Sequence, residues 1–196
     1  MILYLHGFRS SPQSFKARLL GQRLNELGLG HLYRCPQLPA SPFAAAELIL
    51  SQATEMMAGG EELSLVGSSL GGYYANWLAE KIGCRAVLLN PAVQPPRDLE
   101  NYVGVTTAYH SDEVFEFKRE YIEELKQLRV AAITQPERYF LIAATGDEVL
   151  DWREMTAHYA GAHQFVIEGS DHGISEFAQY VDAVLDFCSI AGAPTA

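Results

Sequence analysis

Short apolar runs alternate with helical patterns from one end of the chain to the other. "MILYLHG" is an apolar run that starts at the first position and stops at a glycine, the pattern of a buried strand. Over residues 14–27 the apolar positions Phe15, Leu19, Leu20, Leu24 and Leu27 share one helical face, and Gly28 ends it. "HLYRCP" reads as a short second strand, and the prolines of "PQLPASP" make the loop after it stiff. The pattern then predicts a helix over 43–58, a strand in "LSLVGS", a helix over 70–82 and a strand in "AVLLNPAV" that stops at Pro91. "RYFLIAATGD" predicts a strand and "DWREMTAHYA" a helix. "HQFVIEGSDHG" predicts the last strand with its loop, and "SEFAQYVDAVLDFCSI" the final helix.

Six strands separated by helices, with runs as continuously apolar as "AVLLN" and "FLIAA", point to an α/β fold. Such runs suit strands buried on both faces of a mostly parallel sheet, hence a three-layer α/β/α sandwich. No internal repeat or low-complexity linker interrupts the chain, so residues 1–196 are expected to form a single domain. One section breaks the rhythm. More than forty residues separate the strand ending near Asn90 from the one starting near Arg138, too many for a simple crossover. Residues 97–136 are therefore expected to make a cap-like excursion over the sheet edge, with an amphipathic helix over 113–128. The tail "AGAPTA" is expected to fray.

Composition narrows the function classes. Hydrophobic residues make up 48% and charged residues 19%, ordinary for a globular protein. A formal net charge of −10 disfavours nucleic acid or an anionic membrane surface as a partner. No apolar segment reaches the ~18 residues needed to cross a bilayer. "MILYLHG" lacks the basic start of a secretory leader. Cys35, Cys84 and Cys188 lie far apart without zinc spacing, and read as small buried hydrophobes in a reducing compartment. A cytoplasmic location is expected.

The chemistry concentrates in "LVGSSLGGYYANW". Gly67-Ser68-Ser69-Leu70-Gly71 fits G-x-S-x-G and falls between a predicted strand and a predicted helix. A nucleophile must stand clear of the sheet, and a sharp strand-to-helix turn achieves this while crowding the backbone. Gly67 and Gly71 remove the side chains that would clash. The helix start adds main-chain N–H groups and a positive dipole end. Ser69 is the candidate nucleophile. A phosphate loop would need a lysine near the second glycine, and none occurs until Lys81.

A serine hydroxyl needs a base, and the base an orienting carboxylate. In the chain order serine, acid, histidine, His6 and His31 come too early. His110 falls in the excursion, His158 in a helix and His163 at a strand start. His172, in the loop after the last strand, is the candidate base. Asp147, directly after "LIAATG", is the candidate acid, with Glu148 and Asp151 as competitors. Asp151 also fits as an N-cap. Asp171 lies too close to His172 in sequence to orient it, and Glu168 falls in the strand. An oxyanion hole needs two main-chain donors, here the N–H of Leu70 and that of Phe8, in the loop after the first strand. His6 then reads as a structural histidine holding that loop.

The blocks "LYLHGF-SS", "PQLP", "GSSLGGYYA-WL", "NPAV-P", "TGDEVLD" and "VIEG--H" resemble the YqiA-type esterases, a small branch of the α/β-hydrolase superfamily. The resemblance runs from residue 3 to about 187. It implies a reduced α/β-hydrolase sheet starting at the superfamily's third strand, a triad of Ser69, Asp147 and His172, and hydrolysis of carboxylic esters or acyl thioesters. The sequence departs from the family pattern at Gly173-Ile174, where an apolar or aromatic residue is expected soon after the histidine, and across residues 97–136.

The expected function is a serine carboxylester hydrolase acting on a small-molecule ester or acyl thioester, with no metal and no organic cofactor. The cap aromatics Tyr102, Tyr109, Phe115, Phe117 and Tyr121 either wall the pocket or pack the cap on the sheet. An acyl-CoA thioesterase is the nearest alternative, with Arg9, Arg97, Lys118 and Arg119 available for a basic patch. A hydrolase fold serving as a binding or scaffold protein is an alternative of another class. A peptidase has little support, and a dehalogenase would place aspartate at position 69.

Overall fold

The computed structural model describes residues 1–107 and 114–190. In chain order the elements are β1 (Ile2–Leu5), α1 (Phe15–Glu26), β2 (Tyr33–Arg34), α2 (Pro42–Met57), β3 (Ser64–Ser68), α3 (Leu70–Ile82), β4 (Arg85–Leu89) and α4 (Pro95–Asp98). There follow β5 (Gly104–Thr107), β6 (Val114–Phe117), α5 (Arg119–Gln127), β7 (Tyr139–Ala144), α6 (Trp152–His158), β8 (His163–Ile167) and α7 (Val181–Phe187). Six strands form one sheet in the order β2-β1-β3-β4-β7-β8, with every neighbouring pair parallel.

Alternation along the strands explains why they read as unbroken apolar runs. Leu3, Leu5, Leu65, Leu88 and Leu141 face one core, shared with α2, α3, α5 and α6. Their neighbours Ile2, Tyr4, Val66, Val87 and Ile142 face the other, shared with α1 and α7. Both faces of the sheet are covered, so its central strands are mostly apolar, with Ser64 and Ser68 as buried exceptions at the ends of β3. The result is a three-layer α/β/α sandwich. The strand order reverses at β1: the chain steps to β2 on one side, then crosses back to β3 on the other. Loops leaving the C-terminal ends of β1 and β3 diverge there and open a crevice. The chain's last strand, β8, forms one edge of the sheet, where Phe165 and Val166 are exposed.

Three local expectations are corrected. The expected helix over 113–128 is a strand, β6, followed by the shorter α5. β6 pairs antiparallel with β5, Gly104 opposite Phe117. Alternating β-branched and aromatic residues favour that pairing over a helix start. The expected final helix also breaks, into a 3₁₀ turn at Phe177–Gln179 and then α7. Ser175 and Glu176 instead extend the loop that begins at Ser170, with Ile174 at φ 50° and Ser170 Oγ donating to Glu176 at 2.9 Å. Phe15 leaves the core stripe of α1, which runs through Ala17, Leu20 and Leu24, and is 46% exposed.

The section after β4 is tied to the sandwich by specific bonds. Tyr73 Oη donates to the Leu125 carbonyl at 2.6 Å, joining α3 to α5. Glu124 accepts from Ser41 Oγ at 2.8 Å and from the Phe43 N–H at 3.0 Å, at the start of α2. Tyr73→Phe removes the first bond and leaves the Leu125 carbonyl with the Leu128 N–H, at 3.1 Å. The expected cost is about 1 kcal/mol, a fall in Tm of roughly 2–4 °C in a thermal melt. An unchanged Tm would show that this bond does not hold α5 in place.

Candidate active site

β3 ends at Ser68 and α3 begins at Leu70, so Ser69 alone makes the turn, at φ 56° and ψ −123°. A non-glycine residue at positive φ is strained by about 1–3 kcal/mol and persists only where its surroundings hold it. Here the Ser69 N–H donates to the Leu89 carbonyl at 3.0 Å, and its own carbonyl accepts from the N–H groups of Gly72 and Ala92. The two flanking glycines have steric reasons. A Cβ on Gly71 would lie 1.9 Å from the Leu5 carbonyl oxygen, and one on Gly67 would lie 2.4 Å from the Gly71 carbonyl oxygen. Gly72 is equally constrained, since a Cβ there would meet Pro91 at 2.6 Å.

Three expected side chains meet at this turn. His172 Nε2 lies 3.0 Å from Ser69 Oγ, and His172 Nδ1 lies 2.7 Å from Asp147 Oδ2. The Asp147 side chain has no solvent exposure, whereas that of His172 keeps 21%. The other Asp147 oxygen, Oδ1, accepts from the N–H groups of Val149 and Leu150, both at 2.8 Å. Both carboxylate oxygens are thus held by hydrogen bonds. Gly146, just before it, has no room for a side chain, because a Cβ would lie 2.3 Å from the Ser170 carbonyl oxygen. This close approach brings the Asp147 turn against the loop that carries His172.

The competing carboxylates have other partners. Glu148 accepts from the main-chain N–H of His172 at 3.0 Å, not from the imidazole. Asp151 is the N-cap of α6 and accepts from the Arg153 N–H at 2.9 Å. Asp171 accepts from the N–H and hydroxyl of Ser175, and the hydroxyl is the main reason its carboxyl lies below the usual range. Glu168 is exposed.

The remaining histidines are placed as follows. His6 is buried, with Nδ1 donating to the Gly7 carbonyl and Nε2 accepting from the Leu38 N–H, both at 3.0 Å. Burial lowers its pKa. His31 is exposed. His158 contacts Asn76 Nδ2 at 3.3 Å, and His163 stacks on Phe187. His110 lies outside the described residues.

A cavity of about 1060 Å³ opens over Ser69. Phe8, Leu70, Leu99, Tyr102 and Leu150 give it apolar walls, and His172 stands among them. The Gly7–Phe8 loop approaches closely, for a Cβ on Gly7 would lie 3.1 Å from Ser69 Cβ. The Leu70 N–H is among the first of α3 and has no partner within the helix. Of the five aromatics noted in the sequence, Tyr102 lines the cavity and Phe117 and Tyr121 pack against each other, 5.5 Å between ring centres. Phe8 stands edge-on to both Tyr102 and Phe117. Tyr109 and the Phe115 side chain lie outside the described residues.

The four cations considered for a basic patch are engaged elsewhere. Arg97 forks onto Glu154 at 2.7 and 2.8 Å, Arg119 meets Glu100 at 3.0 Å, and Lys118 meets Glu120 at 3.6 Å. Arg9 donates to the carbonyl and hydroxyl of Thr107 on β5. Among the described residues, the cation that lines the cavity is Lys16, which the sequence pattern does not single out. Burial brings its pKa down to about 8, against the opposing pull of Asp171 and Asp147. Asn90, also passed over, is buried and bonds the loop around His172.

Burial pushes each of the three thiols up to about 12. Cys188 is buried, while Cys35 and Cys84 are half-buried. Among the described residues no group of three histidine, cysteine or acidic side chains is placed to hold a metal ion, and no helix is long and apolar enough to cross a membrane.

The architecture has relatives among solved structures. A putative hydrolase from Agrobacterium vitis S4 aligns with TM-score 0.76 at 18% identity, covering 95% of this chain and 87% of that one. Est1E from Butyrivibrio proteoclasticus, in a structure with ferulic acid bound, aligns with TM-score 0.69 at 15% identity, over 95% of this chain and 86% of that one. The mouse alpha/beta hydrolase domain-containing protein 10 aligns with TM-score 0.68 at 16% identity, over 94% and 89%. At these identities the likeness establishes the α/β-hydrolase fold. The model for "Uncharacterised protein family (UPF0227)" matches residues 1–189, and the chain therefore belongs to this family, the YqiA-like branch of the α/β hydrolases.

Proposed function

We propose that the protein is a serine hydrolase that cleaves carboxylic esters or acyl thioesters through an acyl-enzyme on Ser69. The observation that carries this reading is the unbroken chain from Asp147 through His172 to Ser69, at 2.7 and 3.0 Å, ending on a strained serine under a cavity. In the proposed reaction Ser69 Oγ attacks the acyl carbonyl while His172 Nε2 takes its proton. Asp147 holds the Nδ1–H and stabilises the imidazolium. The main-chain N–H groups of Phe8 and Leu70 receive the oxyanion. Collapse of the tetrahedral intermediate transfers the proton from His172 to the departing alkoxide or thiolate. Water, deprotonated by His172, then attacks the acyl-enzyme and releases the acid. No metal or organic cofactor enters these steps.

Residues 1–196 are taken as one domain in which residues 97–136 form the cap. The apolar lining of the cavity supports a substrate with a hydrophobic acyl or alcohol part. Its cation pairings favour a simple ester over a CoA thioester, since the candidate basic residues are held by carboxylates or by β5. The described cysteines carry no disulfide, which supports a reducing, cytoplasmic location.

Incubation with a fluorophosphonate, followed by peptide mass analysis, is expected to place the label on Ser69. The label should vanish in His172→Ala. Labelling elsewhere, or none in a folded sample, sinks the reading and favours a hydrolase fold used for binding. Ser69→Ala should lower kcat on a p-nitrophenyl ester by roughly 10⁴-fold or more without unfolding the protein. Asp147→Asn should cost roughly 10³–10⁴-fold in kcat, because the wrong imidazole tautomer is favoured. Asp151→Ala should instead cost about 1 kcal/mol of stability through the lost cap. Equal kinetic losses in the Asp147 and Asp151 variants would overturn the assignment of the acid.

A further inference from the structure

The loop that carries His172 is held at three successive carbonyls by two side chains from outside it. Asn90 Nδ2 donates to the carbonyls of Asp171 and His172, both at 3.1 Å. Lys16 Nζ donates to the Gly173 carbonyl at 2.6 Å. Lys16 comes from the first turn of α1, whereas Asn90 directly follows β4, so the loop is gripped by two elements far apart in sequence.

Asn90 uses its whole amide. While Nδ2 holds the loop, Oδ1 accepts from the Ala144 N–H at 2.8 Å. Ala144 is the last residue of β7 and stands three positions before Asp147. The Asn90 main-chain N–H also donates to Ile142 on the same strand, at 2.9 Å. One residue earlier, the Leu89 carbonyl accepts the N–H of Ser69. A single fully buried residue therefore links the strand that leads to Asp147, the loop that carries His172 and the segment that supports Ser69. Its backbone sits at φ 42°, in the left-handed region that asparagine tolerates better than most residues.

Few side chains can replace it. Aspartate presents acceptors where two carbonyls need donors. Serine is too short to span the gap, and leucine removes the bonds to the Ala144 N–H and to the carbonyls of Asp171 and His172, of which the Asp171 carbonyl keeps the Ile174 N–H. Lys16 is as unusual in its place. Burying an ammonium is costly, and this one is held against a carbonyl beside the site rather than extended into solvent.

We propose that Asn90 and Lys16 are positioning residues, a two-sided clamp on the main chain of residues 171–173 that holds the His172 imidazole between Asp147 and Ser69. The kinetic consequences rest on the serine-hydrolase reading; the clamp itself acts on the imidazole. Its logic is geometric. The imidazole must reach Asp147 and Ser69 together, and a misplacement of about 1 Å costs about a hundredfold in rate.

The test compares Asn90→Ser, Lys16→Met, Lys16→Arg and the core control Val184→Ala in the full chain. Five quantities are read: Tm, kcat and KM on a p-nitrophenyl ester, the rate of fluorophosphonate labelling, and the downfield proton resonance of His172 Nδ1–H. Asn90→Ser is expected to lose about tenfold or more in kcat and in labelling rate, with KM within about twofold of the parent. Lys16→Met should lose about threefold or more in kcat, and Lys16→Arg should recover most of that loss. The Nδ1 resonance should move or broaden in Asn90→Ser and Lys16→Met, and stay in place in Val184→Ala.

Variants with parental kcat, or with losses that only follow Tm as in Val184→Ala, and with an unmoved resonance overturn the clamp. If Asn90→Ser does not fold, the two Lys16 variants decide by the same criteria. Absence of labelling in the parent, with a resonance that still shifts in Lys16→Met, would overturn the serine-hydrolase reading and leave the clamp standing.

Discussion

The start of α3 is pressed directly against the main chain at the end of β1. Gly71 lies so near the Leu5 carbonyl that a single added carbon would fall 1.9 Å from its oxygen. That contact requires glycine, and it lets the helix begin directly above the sheet. Ser69 is then forced into a positive φ and raised at the C-terminal edge. Much of the site is arranged around this one crowded turn: the Gly7 loop against it, Pro91 beneath Gly72, and the Leu89 carbonyl holding the Ser69 N–H.

The other strands bring their contributions to the same edge because the sheet is parallel. All of its C-terminal ends point one way, so the loops after β1, β3, β4, β7 and β8 share one neighbourhood. The loop after β4 supplies Asn90, the one after β7 supplies Asp147, and the one after β8 supplies His172. A buried carboxylate with bonds to both oxygens, an imidazole held at its main chain and a strained serine form one continuous hydrogen-bonded array. The polar groups inside it have partners, which is the condition for keeping such a network in a low-dielectric setting.

Much of this was legible in the sequence because the signals are local. The alternation of "AVLLN" and "FLIAA" with helical stretches marked a parallel sheet, and the glycines around Ser69 marked a tight strand-to-helix turn. Asp147 and His172 stood directly after apolar runs, where strand ends place loops. Local signals fail where a residue's meaning lies with a distant partner. Asn90 looks like a strand terminator in sequence, but its side chain serves Ala144, Asp171 and His172. Lys16 looks like the solvent face of a helix, yet its partner lies 157 residues away. The strand β6 was misread as the start of a helix because "VFEF" and the helical residues after it form one continuous amphipathic stretch. The final helix was drawn too long because the turn bonds and side-chain bonds that keep Ser175 and Glu176 out of it are invisible to periodicity.

The position of β8 at the edge of the sheet bears on when Ser69 gains a neighbouring imidazole during folding. Ser69 and His172 are 103 residues apart, and their loops meet only once β7 has docked on β4 and β8 on β7. A growing chain that has already shaped β1, β3 and α3 holds a raised serine with no imidazole beside it. In the proposed reading, activation of Ser69 therefore waits for β8 to join the sheet, and a half-assembled sheet carries the turn without its imidazole.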